Sequence, residues 1–224
     1  MVGAGGLAGE IGEGLVRKGV GTLIILDDDV VEPSNLNRQR FFRHDIYKPK
    51  ASRLAKNLAR EGFAGTVLRA YDMKLQDAAA RGLVIESNLV IVGVDNNPTR
   101  TFAAQYFHAR QIPVITTAVS RTANNGYVFV QEPGGPCFGC LFPDAVNDET
   151  YPCPGTPAVK DILKVVAGMV IFAVDTILME RPRFWNYKDI FLDGSVPGSD
   201  RTISRRTDCQ LCSVPDAAEV VHVE

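Results

Sequence analysis

The sequence predicts an α/β fold: an open, mostly parallel sheet, Rossmann-like in its first half and continued by antiparallel strands. Three observations carry this expectation. Short apolar runs alternate with amphipathic stretches over roughly the first half of the 224-residue chain, as when helices cross over a parallel sheet. A glycine-rich turn, Gly3-Ala4-Gly5-Gly6-Leu7-Ala8-Gly9, separates a strand stub from a helical stretch. Residues 89–94 (LVIVGV) are apolar throughout, as a strand covered on both faces must be.

Each element follows in order. Met1-Val2 is the stub of a first strand, and residues 5–18 read as the first helix, stopped by Gly19, a residue that tolerates the left-handed conformation at a helix end. TLIIL (22–26) is β-rich, 50–60 has helical spacing, 66–70 reads as a strand and 76–83 as a short helix. The apolar strand 89–94 is followed by a helix over 99–110 and a strand over 113–117. The rhythm then changes. Residues 127–131 alternate, as an antiparallel strand does, and 132–157, rich in Pro, Gly and Asp, read as a long loop with three of the five cysteines. A long apolar helix spans 159–180, late strands are expected at 189–192 and 201–204, and the tail after Cys212 is loose. One domain over 1–212 is expected, divided into a nucleotide-binding half (1–120) and a second half (121–212), with 213–224 as tail.

Composition narrows the function. The chain is 46% hydrophobic and 22% charged with a formal charge of −2, which excludes a disordered chain. Near-neutrality gives no electrostatic footing for nucleic acid or an anionic membrane. The opening Met1-Val2-Gly3 has no signal-peptide pattern, and Lys164 and Asp175 interrupt the longest apolar stretch, so a cytoplasmic protein without a membrane span is expected.

The glycine-rich turn lets backbone N–H groups approach a phosphate at a helix N-terminus. Asp27 ends the next strand, where a carboxylate accepts hydrogen bonds from ribose hydroxyls. The same turn fits an NAD enzyme, or helix–strand packing alone; no P-loop motif is present. Residues 26–50, LDDDVVEPSNLNRQRFFRHDIYKPK, add Asn35, Arg38, Gln39 and Lys50. That cluster exceeds what a dinucleotide needs and suits a triphosphate whose β and γ charges must be balanced; a solvated polar loop is the plainer alternative. Asp95 follows LVIVGV at the carboxyl end of a strand, where open α/β sheets bind ligands and where magnesium would find a carboxylate beside phosphate oxygens. Its plainer reading is a cap on the following helix. Cys137-x-x-Cys140 and Cys209-x-x-Cys212 have the spacing of a closed, structural four-thiolate zinc site. Cys153, between Pro152 and Pro154, is the odd cysteine. None of the three histidines sits in a motif.

Taken in order, GAGGLAG, LDDDVVEPSNLNRQ, YKPKA, VDNNPTR, PCFGC and DCQLC resemble the ThiF/MoeB/HesA family, the adenylating enzymes related to ubiquitin-activating enzyme. The resemblance runs from Val2 to Cys212. It implies adenylation, with ATP and Mg2+, of the C-terminal glycine of a ubiquitin-like or sulfur-carrier protein, within a homodimer. It assigns Gly3, Gly5 and Gly6 to the nucleotide loop, Asp27 to the ribose, and Asn35, Arg38, Gln39 and Lys50 to the phosphates. Asp95 matches the magnesium-binding aspartate, with Asn96 beside it and Arg100 near. A cysteine in the region of Cys153 can take the activated carboxyl as a thioester or persulfide; an idle thiol is the other reading. Two departures stand out. GTPAVKDILKVVAG replaces the family's glycine- and valine-rich pattern after this cysteine. The family's N-terminal arginine, which reaches the partner subunit's ATP, has no counterpart after Met1, so a missing segment, an unusual start or another domain or protein must account for it. The rival classes are a catalytically silent subunit of a heterodimer, an NAD-dependent dehydrogenase, and a relative that adenylates a tRNA base.

Overall fold

The computed structural model describes residues 1–62, 65–83, 86–120, 122–147 and 160–213. Strands β1 (Thr22–Leu26) and β2 (Val67–Tyr71) pair in parallel, as do β3 (Val90–Val92) and β4 (Val114–Val119). The stub Met1–Gly3 lies between the two pairs. Val2 bridges in parallel to both Leu26 and Val92; its N–H donates to the Ile91 carbonyl at 2.8 Å, and Gly3 N–H donates to that of Leu26 at 2.8 Å. β5 (Asn125–Gln131), β6 (Tyr187–Phe191) and β7 (Asp200–Arg201) then extend β4, each antiparallel to its neighbour. The order across the sheet is β2-β1-stub-β3-β4-β5-β6-β7.

Alternation along the strands gives the sheet two buried faces. Ile25, Ile91, Ile115 and Val128 pack with α1 (Gly6–Arg17), α2 (Lys50–Leu58) and α6 (Lys160–Leu178). Leu26, Val90, Val92 and Val114 pack on the other face with Leu75 and Ala78 of α3 (Leu75–Ala80) and Ala103 and Phe107 of α4 (Asn97–His108). Gly3 sits at φ +96°, and a Cβ there would lie 3.0 Å from the Gly93 carbonyl oxygen, so the chain turns from stub to α1 only with glycine.

α1 and α6 run side by side in the same direction: Gly6 lies against Leu163, Gly14 against Ile171, and Lys18 pairs with Asp175. A Cβ on Gly6 would stand 2.6 Å from Leu163 Cδ1. The glycines of α1 thus permit the approach, and the two helices start at the same end of the sheet. Among the described residues no helix is long and apolar enough to cross a membrane.

The structure corrects several expected bounds. The described part of 132–157 is not all loop: it holds α5 (Phe138–Leu141) and a 3-10 turn, Pro143–Asn147. α4 starts at Asn97, because Asn96 Oδ1 accepts from Thr99 N–H at 2.9 Å and Pro98 fits the first turn. The last strand has two residues, not four. Cys153 and the tail 214–224 lie outside the described residues.

The segment between β1 and α2 is held by buried charge. Asp45 is fully buried and accepts from Phe42 N–H at 2.9 Å, Asn57 Nδ2 at 2.8 Å and Arg53 Nε at 2.5 Å. Burial works to raise the Asp45 carboxyl, but these donors outweigh it and hold the group below its ordinary range. Arg40 pairs with Glu13 of α1 and with Glu61 just past α2.

Candidate active site

The parallel strands end together at a cavity of about 290 Å3. Its floor is the turn after the stub, with Gly3, Gly5 and Gly6, and the start of α1. Gly5 is the N-cap of α1 and brings no capping side chain, and the first turn carries no acidic residue. The N–H groups of that turn are thus available to an anion, where the helix dipole favours negative charge.

Asp27 lines the cavity at the end of β1. Its Oδ2 accepts from Ala4 N–H at 2.6 Å and its Oδ1 from Asp29 N–H at 2.9 Å. Burial pushes its carboxyl above the ordinary range, against the lowering effect of those two bonds. Each oxygen keeps a further lone pair for a hydroxyl donor.

Two cations stand on the same wall. Lys50, first residue of α2, donates from Nζ to Asp29 Oδ2 at 2.8 Å, and its own N–H donates to the Asp29 carbonyl at 2.8 Å. Arg38 Nη1 donates to the Ser34 carbonyl at 2.9 Å and to Asn37 Oδ1 at 3.0 Å. Gln39 also lines the cavity, and its Oε1 is buried without a partner among the described residues. Asn35 does not line it: this buried side chain accepts the Glu32 N–H at 2.9 Å and closes a 3-10 turn.

Asp95 and Asn96 close the cavity at the start of α4. Asn96 is the cap, which overturns the reading of Asp95 as helix cap. Asp95 is exposed and makes no hydrogen bond or ion pair among the described residues. A carboxylate on the wall of this cavity suits Mg2+, which takes one or two carboxylates together with phosphate oxygens. Lys74, Gln76, Thr99, Arg100 and Leu163 also line the cavity. Sequence reasoning left them out, except that it noted Arg100 near Asp95. Lys74 and Gln76 flank the start of α3, and only the parallel pairing of β2 with β1 shows that this turn faces Asp27.

Away from the cavity, Cys137, Cys140, Cys209 and Cys212 come together with all four sulfurs within 4.8 Å of one another. The Cys137–Cys209 and Cys140–Cys212 separations are 3.5 Å and Cys137–Cys140 is 3.9 Å. Tetrahedral zinc with bonds of about 2.3 Å sets its sulfurs about 3.8 Å apart, so the donor set and spacing fit that ion. Gly139 makes room: a Cβ there would meet Cys209 Sγ at 3.2 Å and Leu211 at 3.0 Å. Burial opposes the Cys209 thiolate, yet the N–H groups of Cys212 and Leu211 outweigh it and bring the thiol down to about 7. Burial pushes Cys137 up.

A family model described as the ThiF family matches residues 1–211. The chain belongs to the ThiF family. A SAMP-activating enzyme E1 of Haloferax volcanii is 30% identical over 216 residues, which cover 95% of this chain and 78% of that one. A sulfur carrier protein adenylyltransferase of Thermus thermophilus is 30% identical over 178 residues, 77% of this chain and 65% of that one. The ThiF chain described here spans about half the length of several other curated relatives. The fold is shared with E. coli MccB crystallised with AMPCPP and MccA, at a TM-score of 0.77, 18% identity, and coverage of 94% of this chain and 65% of that one.

Proposed function

We propose that this chain is an adenylyltransferase that uses ATP to activate the C-terminal glycine carboxylate of a ubiquitin-like or sulfur-carrier protein. The observation that carries the reading is the convergence on one cavity of an open helix N-terminus, two cations from the 38–50 segment and a carboxylate, Asp95, that is unpaired among the described residues. The names of the Haloferax and Thermus relatives support the reaction class.

In this reading the ribose hydroxyls donate to Asp27 and the phosphates lie along the Gly3–Gly6 turn. The carrier carboxylate, already ionised, attacks the α-phosphorus in line. An O–P bond forms as the bond to the β-phosphate oxygen breaks, and pyrophosphate leaves with its charge met by Arg38 and Lys50. Lys50 leaves Asp29 for the phosphates; Arg38 exchanges its carbonyl partners for them, with Gln39 alongside. Asp95 would hold Mg2+, which would supply charge neutralisation at the phosphates. No general base is required. Zinc on Cys137, Cys140, Cys209 and Cys212 would fasten residues 209–212 to the start of α5 and would take no part in the reaction.

Cys153 is the proposed acceptor of the activated carboxyl after adenylation: its thiolate attacks the acyl carbon and AMP leaves. Cys153→Ser is expected to retain ATP–pyrophosphate exchange and to lose a reductant-sensitive carrier adduct; an adduct that persists in the variant removes Cys153 from the pathway.

The experiment that tests the main reading is ATP–pyrophosphate exchange with a carrier ending in Gly-Gly. Exchange is expected only with the carrier present, and Asp95→Ala should abolish it with circular dichroism unchanged. Undiminished exchange in Asp95→Ala would overturn the assignment.

A further inference from the structure

Asp95 stands at the cavity with no partner of its own among the described residues, so the backbone on either side sets its direction. On the α4 side the Asn96 cap fixes the helix start. On both sides at once there is Arg100, one turn into α4. Its Nη2 donates to the Val94 carbonyl at 2.7 Å, and its Nη1 donates to Asn97 Oδ1 at 2.9 Å. One guanidinium thus joins the residue before Asp95 to the residue two after it. The planar fork does what an ammonium cannot, because its two nitrogens hold two acceptors in a fixed relation. Arg100 also lines the cavity, and its Nε is buried without an acceptor among the described residues.

We propose that Arg100 is the positioning residue for Asp95: it staples the 94–97 turn so that the Asp95 carboxylate faces the metal-bearing phosphates. The inference rests on the reading of Asp95 as the Mg2+ residue given above. It assigns Arg100 to the turn and not to the nucleotide. Groups that orient a metal ligand from outside the coordination shell typically govern metal affinity by about 10- to 100-fold.

The test uses the full chain with an α,β-methylene ATP analogue, whose α,β-bridge cannot break and which therefore cannot give up its adenylyl group. Mn2+ stands in for Mg2+, and free Mn2+ is followed by electron paramagnetic resonance. In Arg100→Gln, Mn2+ binding to the protein–analogue complex should weaken by roughly tenfold, while metal-free affinity for the analogue stays at the wild-type value. The Mg2+ midpoint of pyrophosphate exchange should rise by the same factor, with exchange recovering at saturating Mg2+. Arg100→Lys should behave as Arg100→Gln. In an Asp95→Asn background Arg100→Gln should add nothing, as for two residues acting through one interaction. Asn97→Ala, which removes one arm of the staple, should give a smaller shift and serves as the second variant if Arg100→Gln melts early.

Unchanged Mn2+ affinity in Arg100→Gln and Asn97→Ala overturns the inference. A parallel loss of metal-free analogue affinity also overturns it, because Arg100 then touches the nucleotide. If Asp95→Ala keeps wild-type Mn2+ binding and exchange, the reading of Asp95 falls and this inference falls with it. Failure of the Arg100 arms alone leaves that reading standing.

Discussion

Asp27 and Asp45 show how the same side chain serves two ends according to its neighbours. Asp27 lies above the ordinary carboxylate range because burial outweighs its two backbone donors. Its contribution to stability is therefore present below the unfolded value, about 3.9, and is lost as pH rises through the folded value; the fold bears that cost to keep an acceptor in the cavity. Losing a charge-assisted hydrogen bond costs about 1.5–3 kcal/mol, so Asp27→Ala should raise KM for ATP in the exchange assay by roughly 10- to 100-fold. Asp45 is the reverse case. Its carboxyl is held low, so its stabilisation is present above the unfolded value and is lost as pH falls through the folded one. Asp45→Ala strands Arg53 and should cost about 3–5 kcal/mol, measured by urea denaturation at neutral pH, with the gap to wild type closing in acid. Asp27 and Asp95 are legible in the sequence because each follows a strand, where a carboxylate suits a ribose or Mg2+, and Arg38 and Lys50 because cations gathered between β1 and α2 suit phosphates. Gln76 and Thr99 are not: each sits in an ordinary amphipathic helix start, and only β-strand register brings their 3.4 Å contact to the cavity.

At the scale of elements, the sequence pattern finds the helices and strands and misplaces their edges. α4 is read two residues late because Pro98 suggests a break, whereas proline is welcome in the first turn. The helix inside 132–157 is hidden because four residues carry no periodicity; Cys137 and Cys140 form there under the constraint of their distant partners. The stub is the reverse, three residues that form the middle of the sheet. Gly3→Ala puts a Cβ at positive φ against the Gly93 carbonyl and should cost about 1–3 kcal/mol, read as a lowered thermal midpoint. A variant as stable as wild type would show that the turn can move away from β3.

For the whole molecule, the long apolar helix is the ambiguous feature, since a helix apolar on most faces is either interior or an interface. α6 divides its surface. Ile162, Val166, Val170 and Ala173 are buried against α1, β4 and β5, while Phe172 is 52% exposed and stacks on Trp185, with Val165 also uncovered. The homodimer that the family resemblance implies is therefore testable at this outer face. Light scattering should give twice the chain mass at micromolar concentration, and Phe172→Glu should lower it; a wild-type monomer overturns the pairing.

The thiol cluster has a topological consequence. Cys137 and Cys140 meet Cys209 and Cys212 across 72 residues of chain. With zinc in place the intervening chain, including α6, β6 and β7, becomes a closed ring. A protease that cuts once inside that ring severs a peptide bond without separating two molecules. The nicked protein should run as two bands in denaturing gels yet travel as one particle in gel filtration, with one zinc per chain by elemental analysis. Adding a chelator should then open the ring, and in enough urea to loosen α6 from α1, β4 and β5 the nicked protein should fall into two pieces, whereas the uncut chain keeps its mass under the same treatment.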